Sequence, residues 1–147
     1  MVKILKVEEM VEVAKKFATE KHKGQSRWNG DPYIVHPERV ANKFGEQRAI
    51  ACAIAWLHDV VEDTDATLDD LTNMGFNEVV VKAVDAISQR KDEPYVRYIS
   101  RISKNKTASR VKIADMEDNM IDATKQRKEK YELATLFLLV VGLERGK

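Results

Sequence analysis

"AIACAIAWLHDVVEDT", residues 49–64, decides how this chain folds and raises the question of what it does. From Ala49 to Leu57 a helix would be apolar on every face, the pattern of a helix at the centre of a domain. Ionisable groups follow at once: His58, Asp59, Glu62 and Asp63. Burying such groups is costly unless they are paired or bound to metal. The end of the run is therefore either a flaw in an otherwise good core helix or a site, which the rest of the sequence decides, and residues 46–59 read as the central buried helix.

Outward from this run the apolar spacing is helical almost throughout. Val7, Met10, Val11, Ala14, Phe17 and Ala18 fall on one stripe, ending at a basic "KHKG" with Gly24 as a stop. "GQSRWNGDPYIVHP" is too rich in breakers for a long element. Helix resumes after Pro37, which suits a first turn, and Gly45 ends it. Thr67 is a fair N-cap for a short helix. Amphipathic stretches follow at Phe76–Ile87, Tyr95–Ile102, Ala108–Met116 and Lys130–Leu143. No β-alternation lasts more than a few residues, so the expected fold is all-α, with about six to eight helices around the central one.

At 147 residues the chain is expected to form a single domain, residues 1–147, large enough for its own core. Its 25 basic and 24 acidic residues nearly cancel, so no bulk field recruits nucleic acid or an anionic membrane. The lone Cys52 suits a reducing compartment and reads as a small apolar core residue rather than a nucleophile. The longest apolar run, "LFLLVV", is too short to span a bilayer. The expectation is a soluble, cytoplasmic domain.

Three places carry the chemistry. His58 and Asp59 are adjacent, so in a helix they share an ion only if it sits between their side chains. His36 lies in "PYIVHP", a loop held by prolines and an aromatic. Asp115 follows an apolar stretch in "SRVKIADMEDN", with Asn119 one turn on. Asp118 is a rival carboxylate at i+3, placed toward solvent by its neighbours Glu117 and Asn119. His36, His58, Asp59 and Asp115 form a nitrogen/oxygen set suited to Mn²⁺, Fe²⁺ or Zn²⁺. Cations for a phosphorylated ligand are available at Lys23 and Arg27, at Arg90 and Lys91, and at Arg127. His22, in a basic helix end, reads as exposed and idle.

"HKGQSRWNGDPYIVHPERVA" (residues 22–41), "LHDVVEDT" (57–64) and "VKIADMEDN" (111–119), in this order, resemble the hydrolase domain of RelA/SpoT-type alarmone enzymes. That domain is an HD phosphohydrolase, and the likeness covers nearly the whole chain, as in the small stand-alone hydrolases. The resemblance implies an HD-domain helical bundle with Mn²⁺ held by His36, His58, Asp59 and Asp115. It implies that Glu62 and Asp63 assist the attacking water, and that pyrophosphate leaves the 3′ position of (p)ppGpp. It favours Arg27 near the base, Asn119 near the sugar, and Arg127 with Tyr131 on the C-terminal helix. A lysine commonly follows the arginine of the "GQ-x-R" loop, and here Trp28 stands instead. A stacking surface thus replaces one phosphate-side charge, which leaves the nucleotide open. Two other readings remain at this point: an HD phosphohydrolase acting on another nucleotide phosphate, and a nucleotide- or metal-binding module without turnover. Homo-oligomers are compatible with all three.

Overall fold

A computed structural model describes residues 2–145. The helices are α1 (Val7–Lys21), α2 (Val35–Ala41), α3 (Ala49–Leu57), α4 (Val60–Asp63) and α5 (Leu68–Asn73), followed by α6 (Glu78–Ile87), α7 (Tyr95–Ser103), α8 (Lys106–Met120) and α9 (Lys125–Arg145). No strand occurs among the described residues, and the all-α expectation holds. A single bridge between Ser26 and Pro32 pins the loop that joins α1 to α2.

Packing is organised by α3. It lies against α1, α2, α6 and α8, and Ala53, Ile54, Ala55 and Leu57 lose all contact with solvent. Each buried Ile or Leu side chain here contributes about 1.5–3 kcal/mol through removal of apolar surface from water. The many alanines let neighbouring helices approach closely. Cys52 is half-buried, with its thiol donating to the Ala41 carbonyl at 3.6 Å, and burial raises its pKa. That fits a packing role.

Helices α5, α6 and α8 start on side-chain caps that supply acceptors to otherwise unpaired N–H groups. The Thr67 hydroxyl accepts from the Asp70 amide at 3.1 Å, and the Asp70 carboxylate in turn accepts from the Thr67 amide at 2.9 Å. Asn77 and Asn105 cap α6 and α8 in the same way. After α5 the chain turns at Gly75, whose φ of +98° and approach to the N-terminal segment both require glycine. A Cβ there would lie 2.4 Å from the Lys3 carbonyl oxygen.

Several boundaries differ from the sequence expectation. The central helix does not run unbroken from 46 to 59: Glu46–Arg48 form a 3₁₀ turn whose last residue, Arg48, departs from α-helical backbone angles, and α3 ends at Leu57. The cause at the far end is local. His58 Nδ1–H donates to the Ala55 carbonyl at 2.6 Å, occupying an acceptor in the last helical turn. The chain then bends through Asp59 into the single turn α4. Helix α2 begins at Val35, ahead of Pro37, so His36 sits on a helix rather than in an irregular loop. Proline is tolerated there because first-turn N–H groups have no intrahelical partner. Both α8 and α9 extend beyond their apolar stretches, α9 starting at Lys125 rather than Lys130.

Candidate metal centre and active site

Three elements converge beside α3. Helix α2 brings His36, the turn after α3 brings His58 and Asp59, and α8 brings Asp115. One ligand atom from each of these four lies within 4.8 Å of all the others. His36 Nε2 is 2.8 Å from Asp115 Oδ1, and His58 Nε2 is 3.2 Å from the same oxygen. Asp59 Oδ2 lies 3.0 Å from His58 Nε2 and 3.7 Å from His36 Nε2.

The far side of each imidazole is tied. His58 Nδ1 faces the Ala55 carbonyl, which can only accept, so that nitrogen carries a proton. His36 Nδ1 faces Asp118 Oδ2 at 2.6 Å and donates to it. Both Nε2 atoms therefore turn inward, 3.3 Å apart. Two ring nitrogens and two carboxylates facing one point repel unless a cation, proton or metal, lies between them. Such outer partners fix ring orientation and tautomer in metal sites.

Charge in the cluster is balanced locally. Burial alone would lower the His58 pKa, but Asp59 and Asp115 hold it well above its ordinary value. Burial opposes ionisation of Asp59 too, and the His58 charge overrides it, leaving Asp59 at about 2. Asp115 is held well below the usual carboxylate range, against its burial, by Lys112 and His58. Lys112 Nζ reaches Asp115 Oδ2 at 2.8 Å.

Beside this cluster is a cavity of about 210 Å³, lined by its carboxylates and by Tyr33, Glu62, Asp63, Gln89, Lys112 and Lys130 among others. Glu62 stands at its edge, one oxygen accepting from the Gln89 amide at 2.7 Å. Its pKa is pushed up to about 6, first by burial and then by Asp59 and Asp63. Asp63 does not hydrogen-bond Glu62. The Tyr33 hydroxyl instead donates to Asp59 Oδ2 at 2.6 Å and reaches Asp63 Oδ2 at 3.2 Å. A second cavity of about 190 Å³ is lined by Arg27, Trp28, Asn119, Asp122, Ala123, Arg127 and Tyr131. Asn119 and Tyr131 line both, so the two hollows adjoin.

Most of the sequence-selected residues are thus brought together: His36, Asp59, Asp115, Glu62 and Asp63 line the first cavity with His58 buried behind them, and Arg27, Trp28, Asn119, Arg127 and Tyr131 surround the second. Lys23 is not; it is exposed on the turn after α1 and lines neither hollow. Arg90 is committed to its own turn, bonded to the Ser88 carbonyl and the Asp85 carboxylate.

Two expectations are corrected. Asp118 is buried, not solvated, because it lies on the inward stripe of α8 with Ala108, Val111 and Asp115. There it also accepts from Arg39 Nε at 2.7 Å, and Arg39 and His36 lower its pKa to about 2 despite burial. Its i+3 spacing from Asp115 was the available signal. His22 is 1% exposed rather than idle at the surface. Its ring stacks at 4.9 Å on Tyr33, and its Nδ1 meets Gln25 Oε1 at 2.8 Å, while Gln25 Nε2 donates to the Asp63 carbonyl. Tyr33, Gln89, Lys112 and Lys130 were not singled out from sequence; only contact between distant segments reveals them.

No family model matches the chain. Among curated proteins, a guanosine-3′,5′-bis(diphosphate) 3′-pyrophosphohydrolase of Aquifex aeolicus is 33% identical over 134 residues, covering 83% of this chain and 19% of that protein. One of the same name from Vibrio cholerae is 34% identical over 116 residues, 70% of this chain and 16% of that one. A GTP pyrophosphokinase of Myxococcus xanthus is 30% identical over 128 residues, covering 76% of this chain and 17% of that one. The chain thus spans less than a fifth of the length of these relatives. A solved structure described as a metazoan ortholog of SpoT that hydrolyzes ppGpp superposes with a TM-score of 0.70 at 25% identity, over 90% of this chain and 84% of that one.

This chain belongs to the HD-type hydrolase-domain family. The assignment agrees with the helical architecture and with a His/Asp cluster of the kind such domains use for a divalent metal. Among the described residues, no helix of this family member is long and apolar enough to cross a membrane.

Proposed function

We propose that this protein is a metal-dependent phosphohydrolase that removes pyrophosphate from the 3′ position of (p)ppGpp, leaving GDP or GTP. The observation that carries the reading is the pair of Nε2 atoms aimed at one point between Asp59 and Asp115, with a raised-pKa glutamate on the same cavity. A site that only stored metal would have no use for that glutamate. The names borne by the Aquifex and metazoan relatives support the same chemistry.

His36, His58, Asp59 and Asp115 hold the ion, which we take to be Mn²⁺, and the donor set accepts Fe²⁺ or Zn²⁺ as well. Such an ion supplies Lewis acidity toward phosphoryl oxygens and lowers the pKa of water. Glu62 is the general base that takes the proton of the attacking water. The water oxygen adds to the phosphorus of the 3′ ester, the P–O bond to the sugar breaks, and the 3′ oxygen takes up a proton. Asp63, held by Tyr33, keeps that edge of the cavity anionic and ordered. Lys112 and Lys130 face the departing phosphates, while Arg27, Trp28, Asn119, Arg127 and Tyr131 receive the nucleoside. Lys23 has no part in this arrangement.

We take residues 1–147 to act as one catalytic unit on a small nucleotide in the cytoplasm, without nucleic acid or membrane as partners. The experiment is a panel of guanine and adenine nucleotides, with and without 3′-phosphates, incubated with Mn²⁺ or with chelator. Release of pyrophosphate from (p)ppGpp alone, abolished by chelator, is expected. A second reading, hydrolysis of another nucleotide phosphate, is favoured by the exposed indole of Trp28 where the family commonly has lysine. Orthophosphate release, or turnover of a nucleotide lacking the 3′-pyrophosphate, would select it.

A further inference from the structure

Helix α9 carries two apolar stripes, and only one is used. The inward stripe, Tyr131, Ala134, Leu138 and Val141, packs on α7 and α8; of its 21 residues only Ala134 and Leu138 are buried. The second stripe, Leu133, Leu136, Phe137, Val140 and Leu143, lies on the nearly opposite face at 3–4-residue spacing and stays in solvent. Leu133 is 70% exposed and Leu143 71%. No charged residue occurs from Leu133 to Leu143. A helix apolar on both faces is normally covered on both. The stripe also continues into an apolar groove of about 620 Å³ between α7 and α9, walled by Val96, Ile99, Leu133 and Phe137.

We propose that this face is a homodimer interface, covered by the same stripe of a second copy. Two features select that occupant. The stripe presents five large apolar side chains, from 44% exposed at Phe137 to 71% at Leu143, with Val96 beside it at 75%, the continuous apolar centre around which a stable interface of roughly 800 Å² per partner is built. The stripe is also uncharged along three turns, so it complements itself across a two-fold axis and offers nothing to an ionic partner. A run this short does not span a bilayer. Because Arg127, Lys130 and Tyr131 stand on the first turns of the same helix, pairing holds the nucleotide-facing end of α9 in place.

The test is the mass in solution, measured by light scattering across a protein series from about 1 to 100 µM. Twice the chain mass is expected at the upper end. Leu136→Glu combined with Leu143→Glu, both at exposed positions, should give a folded monomer by circular dichroism, with Mn²⁺ binding unchanged. As a second arm, Val140→Cys should form an intermolecular disulfide on oxidation, with the unmodified chain as control. A monomeric wild type at 100 µM overturns the proposal, as does a dimer that survives both glutamates. Binding of the wild-type monomer to phosphatidylcholine vesicles would transfer the stripe to a lipid surface instead.

Discussion

Asp118 does for His36 what the Ala55 carbonyl does for His58: each takes the Nδ1 proton and turns Nε2 toward the cluster. Replacing the carboxylate by an amide weakens that acceptor and permits the other tautomer. Asp118→Asn should therefore lower Mn²⁺ affinity by about 10–100-fold, as changes behind metal ligands commonly do. Titration calorimetry reads this directly, and unchanged affinity would sink the orientation argument. Glu62 has a different task. As a base it must be ionised, and with a pKa of about 6 its active fraction grows as pH rises through 6. Turnover should climb across that pH and level off above it. Glu62→Gln keeps the shape and should cost roughly 10²–10⁴ in turnover while metal binding persists. Loss of the ion in this variant would mean that Glu62 is a ligand.

At the scale of elements, the turn between α5 and α6 is the most constrained joint. Gly75 accepts from the Leu5 amide at 2.8 Å, tying the N-terminal segment to the turn, and its positive φ excludes an ordinary side chain. Gly75→Ala adds a Cβ against the Lys3 backbone, which cannot give as a flexible side chain could. A loss of about 1–3 kcal/mol is expected from the backbone conformation alone, measured by urea unfolding. Wild-type stability in this variant would show that the segment before α1 swings away freely. The joint at His58–Asp59 is built by side chains rather than by glycine. The imidazole occupies the Ala55 carbonyl at the end of α3, and the backbone departs from regular helix at Asp59 before α4 begins.

For the molecule as a whole, the ligands come from α2, the α3–α4 turn and α8, all gathered on the central helix. An ion bound there ties three segments that are far apart in sequence, and it binds the folded chain better than the unfolded one. At one hundred times its dissociation constant, added metal should stabilise the fold by about 2.7 kcal/mol. For a chain of this size that corresponds to a rise in Tm of roughly 5–10 °C. Differential scanning calorimetry with Mn²⁺ and with chelator should show it, and His58→Ala should not respond. An equal rise in His58→Ala would place the ion elsewhere.

Periodicity determined the all-α class, but two stretches, Ala49–Leu57 and Leu133–Leu143, are free of charge on all sides, and only packing put the first at the centre and left one face of the second in solvent. Residue type and order also marked His36, His58, Asp59 and Asp115, since ionisable groups at the end of an apolar helix or directly after a buried stripe demand a partner. What the linear order did not contain is which partner. The Nδ1 contacts that aim both imidazoles join residues as much as 82 positions apart, and the pairing of Tyr33 with Asp59 spans 26. The burial of Asp118 and His22 likewise follows from which face of α8 and of α1 meets a neighbour, so local composition, rich in charge at both places, pointed the wrong way. Helix ends were misplaced where a side chain or a proline in the first turn outweighed intrinsic preference. Burial free energy acts through apolar spacing that is visible in the chain, whereas hydrogen bonds and ion pairs depend on atoms brought within about 3 Å, and only the packed helices supply that distance.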